Sequence, residues 1–160
     1  MMKRACLLAT ISLLTACASS TEAPAAGKPA AQPAISAVPS EGLPPQRLLP
    51  GQCGLFLWGM SAPRKFVFFL EGSSGEALIL VDDVPTSMTM ATAGGEVFGQ
   101  FLTEMRFGAS ANGPAISVSL TPGEVLEGGQ RVDTGHLLIK SPEGWETILP
   151  ITGVRACMPG

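Results

Sequence analysis

Apolar residues in this chain come in short bursts separated by glycine, proline and small polar residues, the rhythm of strands rather than helices. Segments 53–60 (CGLFLWGM), 65–71 (KFVFFLE) and 76–82 (EALILVD) are strongly apolar and rich in aromatic or branched side chains. Gly72-Ser73-Ser74-Gly75 joins the second to the third as a hairpin-like loop. Segment 87–92 places Met88 and Met90 on one face, and Gly94-Gly95 reads as a turn into 96–107. There Val97, Phe101, Met105 and Phe107 alternate with polar residues, although 97–107 also fits a short amphipathic helix. After the turn signal Asn112-Gly113, Ile116, Val118 and Leu120 alternate with Ser117, Ser119 and Thr121, the period-two pattern of a half-buried strand. Gly128-Gly129, Asp133-Thr134-Gly135 and Pro142-Glu143-Gly144 read as turns bounding segments 136–140 and 145–151. About seven to eight short strands punctuated this way predict an all-β domain, a single small antiparallel barrel or a sandwich.

That pattern begins only near residue 47. Residues 18–46 are Ala, Pro, Ser, Gly and Gln with few charges, and prolines recur every few positions, as in Lys28-Pro29 and Leu43-Pro44-Pro45. Each proline removes a backbone donor and disfavours helix at the residue before it, so the stretch reads as a disordered or polyproline-like tether. Its 29 residues reach roughly 90 Å extended or about 30 Å as a coil.

The first residues have a different logic. Met1-Met2-Lys3-Arg4 is a cationic start, followed by an apolar run over 5–14 broken only by Thr10 and Ser12. About ten residues are too few to span a bilayer as a helix, which takes roughly twenty. The run ends in Leu14-Thr15-Ala16-Cys17, which resembles the lipobox of bacterial lipoproteins. The resemblance implies cleavage before Cys17, a diacylglycerol on its thiol and a further acyl chain on its amine. Two or three chains hold a protein at a membrane essentially permanently. Ala18 in place of the Asp that retains such lipoproteins in the inner membrane implies the outer membrane, with the domain facing the periplasm. The chain therefore divides into a signal peptide (1–16), lipidated Cys17 with its tether (17–46), and a β-domain (47–160).

Composition narrows the partners. Removing Lys3 and Arg4 leaves 8 of the 10 basic residues against 13 acidic ones, a net charge of −5, with no basic patch. That disfavours nucleic acid and electrostatic docking on anionic lipid. The cysteines then sort themselves: Cys6 leaves with the signal, Cys17 is capped by lipid, and Cys53 and Cys157 remain near the two ends of the domain. In an oxidising compartment such a pair is expected to form a disulfide.

Few residues select a chemistry. The single histidine, His136, has Asp133 three residues upstream, but no serine sits in Gly-x-Ser-x-Gly, and one His cannot build a histidine metal site. Asp82-Asp83, followed by Val84-Pro85, reads as a solvated strand end rather than a carboxylate pair sharing one site. Phe56, Trp58, Phe66, Phe68 and Phe69 read as core, or as the lining of a ligand cavity in a barrel. No catalytic, metal or cofactor site is selected, and the glycines read as turn glycines.

Lipobox, small β-domain and disulfide near the domain ends together are similar in architecture to the C-type lysozyme inhibitors of Gram-negative bacteria. That family inserts a loop of the form Ser-Gly-x-x-Tyr into the lysozyme active site. The matching segment here is Gly94-Gly95-Glu96-Val97-Phe98, so Gly95 and Phe98 are the binding residues the resemblance implies, while its Ser and Tyr are replaced. The expected function is a non-catalytic envelope module that binds another envelope protein or a cell-wall component. Lysozyme inhibition and small-ligand or lipid carriage are the alternatives. Lipidation is tested by mass spectrometry of the membrane-derived N-terminal peptide, which is expected to carry acyl mass on Cys17, and Cys17→Ser is expected to accumulate as uncut precursor. A soluble mature protein starting elsewhere excludes the anchor.

Overall fold

A computed structural model describes residues 42–108 and 113–160. The expected signal peptide, Cys17 and the tether before residue 42 lie outside the described residues. The β-domain is a closed eight-stranded barrel. Its strands are β1 (Cys53–Gly59), β2 (Phe66–Glu71), β3 (Glu76–Val81), β4 (Val84–Phe98), β5 (Phe101–Gly108), β6 (Ala115–Leu126), β7 (Gly129–Lys140) and β8 (Glu146–Cys157). Each runs antiparallel to the next, and β1 closes the ring against β8 in one unbroken register from Cys53↔Cys157 to Gly59↔Ile151. The choice between barrel and sandwich is thus settled as barrel, and segment 97–107 is strand, not helix.

Strand alternation decides what fills the bore. In β1, Leu55 and Leu57 are fully buried while Phe56 and Trp58 are half exposed. In β5, Phe101, Thr103, Met105 and Phe107 face in, and Ile116, Val118 and Leu120 do so from β6. Phe68 and Phe107 meet edge to face at 5.5 Å between ring centroids. Val67, the extra residue where the β1–β2 register slips beside Trp58, joins the same core. A ring of eight strands is just narrow enough for side chains to fill it.

Two glycine-marked turns of the sequence reading are corrected. Gly94-Gly95 lies inside β4, and Asp133-Thr134-Gly135 inside β7; both coincide with slips in strand register. Strands of twelve to fifteen residues wrapped round so narrow a barrel must bend. They bend at β-bulges, which use the same small or positive-φ residues as turns. The β4–β5 turn falls instead at Gly99-Gln100. The Gly72–Gly75, Gly128 and 142–144 turns stand as expected, and Asp82 and Asp83, both at positive φ (49° and 62°), form the two-residue β3–β4 hairpin. Asn112 lies outside the described residues.

The meander places the β1–β2, β3–β4, β5–β6 and β7–β8 connections at one end, here the upper. The other three, with the entry to β1 and the exit from β8, are at the lower end. Contact with the barrel begins before residue 47: Leu43 is buried, and its N–H donates to the Phe66 carbonyl at 2.7 Å.

Cys53 and Cys157 are joined as expected. The bridge spans 104 residues, so Cys53→Ser is expected to lose several kcal/mol on denaturant unfolding, up to about 4.7 kcal/mol in the loop-entropy account. Phe68→Ala, which empties the middle of the bore, is expected to cost about 3–5 kcal/mol.

Candidate binding cup and the two ends of the barrel

The lower end is shut by the chain itself. The β4–β5 hairpin tip reaches Arg155 of β8, the strand four places away in either direction round the ring, so the tip lies across the bore. Phe98 and Phe101 are 1% and 4% exposed. The Arg155 guanidinium sits 5.8 Å from the Phe98 ring centroid and abuts Gly99, and the Gln100 side chain lies beside Gly72. Arg155 faces inward because its partner across the ladder, Leu55, does. Its Nη1 donates to Cys157 Sγ at 3.4 Å, while the buried Nε has no hydrogen-bond partner among the described residues. A guanidinium over an aromatic face is stabilising without a carboxylate.

This geometry separates the two residues implied by the lysozyme-inhibitor resemblance. Gly95 is exposed at the β4 bulge, with φ +80°. Phe98, three residues on, is buried in the barrel floor. The two do not form one protruding loop. Thr103, the buried polar side chain of the core, explains the glycine: its Oγ1 accepts from the Glu96 N–H at 2.9 Å and occupies the place a Cβ on Gly95 would need.

The upper end carries a pocket outlined by described residues. Between the Asp82-Asp83 hairpin and the β7–β8 turn lies a cup of about 430 Å³. Its lining includes the half-buried apolar side chains of Val81 and Ile139, together with Thr86 and Thr147. Asp82, Glu143 and Trp145 stand on the rim, and Trp145 is 79% exposed. The Glu143 carboxylate is held below its ordinary pKa by its own backbone N–H and then by the Ser141 hydroxyl, slight desolvation opposing. It is therefore ionised at neutral pH, and among the described residues the cup lining contains no basic residue. On the other side of the hairpin, a cleft of about 310 Å³ is bordered by Pro63 and Leu80 and bridged by the Lys65–Asp83 ion pair at 2.7 Å.

Other sequence candidates are dispersed. His136 is exposed on β7, opposite Ser119 and Pro150 of the flanking strands. Among the described residues no three His, Cys, Asp or Glu side chains gather as metal ligands would. Of the five aromatics read as core or cavity lining, Phe68 alone faces the bore; Phe56, Trp58, Phe66 and Phe69 stack on the outer wall. The cup was missed because Trp145 reads as the first residue of an apolar strand. Its place directly after Pro142-Glu143-Gly144 was the available signal, since a turn at a barrel end exposes the residue next to it.

Compared with known protein families, curated proteins and solved structures, the chain matches none.

The bulge yields a paired test. Gly94 has open space around it, whereas Gly95 combines positive φ with the Thr103 contact. Gly94→Ala is expected to be near neutral in thermal unfolding, and Gly95→Ala to cost about 1–3 kcal/mol.

Proposed function

We propose that this protein is a lipid-anchored envelope lipoprotein whose barrel is a non-catalytic binding module, presenting its upper cup to an envelope protein or a cell-wall component. The lipobox supports the anchor, and a disulfide between the first and last strands suits an oxidising compartment outside the cytoplasm. The observation that carries the binding role is the contrast between bore and rim. The inward positions are leucine, isoleucine, methionine and phenylalanine packed into one cluster. The cup is concave, partly apolar in its lining, acidic at its edge, and holds a tryptophan out to solvent. Large aromatics kept exposed beside a pocket are the usual anchors of recognition surfaces.

A photoreactive side chain at position 145 of the membrane-bound protein is expected to crosslink to an envelope component. One at position 136, on the outer wall of β7, is expected to give no product. Equal products from both positions, or none from 145, exclude the cup as the binding surface.

A further inference from the structure

The outer wall of β1 and β2 is not what a solvated barrel face should be. Phe56 and Trp58 from β1 and Phe66 and Phe69 from β2 form a continuous ladder of rings. Centroid distances are 6.5 Å for Phe56–Trp58, 5.2 Å for Trp58–Phe66, 6.1 Å for Phe56–Phe66 and 5.0 Å for Phe56–Phe69. All four are half-buried, and residues 43–50, Leu-Pro-Pro-Gln-Arg-Leu-Leu-Pro, pass from the backbone of Phe66 near the upper end to the edges of Phe56 and Phe69 beside Gly54 near the lower end.

The strap is held at two points. Leu43 is 6% exposed, and its N–H donates to the Phe66 carbonyl. Leu48 fills the hollow left by Gly54: a Cβ there would meet Leu48 Cδ2 and the edges of Phe56 and Phe69 at 2.9–3.0 Å. Between the leucines, Pro44 and Pro45 are exposed, and the Gln46 side chain folds back to the Pro44 carbonyl. Among the described residues, the Leu43–Phe66 bond is the one backbone hydrogen bond from 43–50 to the barrel wall. Two leucine anchors flank an exposed diproline, with Leu48 against the edges of Phe56 and Phe69, and such a Leu-Pro-Pro segment is the kind of ligand that proline-rich peptide recognition uses. There a preformed extended helix meets an aromatic groove at low entropic cost.

We propose that the ladder is a docking groove for proline-rich extended segments, held closed in cis by residues 43–50 and open to a partner protein's Leu-Pro-Pro-x-x-Leu segment when the strap lifts. The occupant already seated there defines the ligand chemistry, and its single backbone bond makes it exchangeable. This groove is on the outer wall, away from the cup, and does not depend on the cup reading.

The test uses the mature chain from Ala18 with Trp145→Phe, which leaves Trp58 of the ladder as the one tryptophan reporter. Adding Leu43→Asp and Leu48→Asp is expected to shift Trp58 emission to the red. A synthetic peptide of residues 42–50 is expected to reverse that shift saturably, binding the released chain at least tenfold more tightly than the parent. The same peptide with both anchor leucines (Leu43, Leu48) replaced by Asp is expected to have no effect. The milder pair Leu43→Ala and Leu48→Ala covers loss of folding in the Asp variant. Emission unchanged on releasing the strap, or a released and folded barrel that ignores the peptide, overturns the proposal. A dimer of the parent chain that the peptide dissolves would give the groove to a second copy, and overturns the assignment to a partner protein.

Discussion

Closure of β1 against β8 is the constraint on which the rest of this molecule depends. An open sheet of eight strands would expose two edges and leave the inward face of Leu55, Leu57 and Ile151 without a partner. Closing it requires the chain's first and last strands to find each other across the 86 residues between Gly59 and Glu146, the slowest kind of contact to form. The register places Cys53 directly opposite Cys157, so the disulfide locks the pairing that sequence separation makes most costly in entropy. The same constraint fixes the lower end: Arg155, two residues before Cys157, is aimed inward by the closed ladder and holds Phe98 beneath it.

Closure also explains what a narrow ring can and cannot hold. With the inward positions packed together, the large apolar side chains left over lie where alternation ends or faces outward: at the upper rim, where Trp145 is exposed, and on the outer wall of β1 and β2. Both surfaces place large apolar groups where a purely structural barrel has no use for them.

Much of the fold was legible in the sequence because a period of two is a strong signal when one face is buried. Ile116, Val118 and Leu120 announced β6, and the subtraction of Cys6 and Cys17 announced the bridge. What was not legible is geometry that local chemistry underdetermines. Gly94-Gly95 and Asp133-Thr134-Gly135 carry turn chemistry, yet closure drives the chain straight through both as bulges. Phe98 falls in the stretch that the lysozyme-inhibitor resemblance implies is an inserting loop, but a hairpin bent at Gly95 tucks it under the barrel. The aromatic run Phe66, Phe68 and Phe69 hides its own facing: one extra residue, Val67, resets the alternation, so Phe66 and Phe69 face out while Phe68 faces in. In each case the deciding partner is distant in sequence.

The strap shows how magnitudes set the behaviour of such an outward face. A fully buried leucine contributes about 1.5–3 kcal/mol, and the Leu43 hydrogen bond about 1 kcal/mol. Fixing an ordinary residue's backbone costs about 1–2 kcal/mol, so eight ordinary residues would cost more than two leucines and one hydrogen bond return. Three of the eight, Pro44, Pro45 and Pro50, have φ fixed before the chain folds and surrender less freedom on docking. Proline content is therefore what allows so lightly bonded a segment to lie on the ladder at all. The same near-balance is what would let another proline-rich segment, similarly pre-extended, take its place.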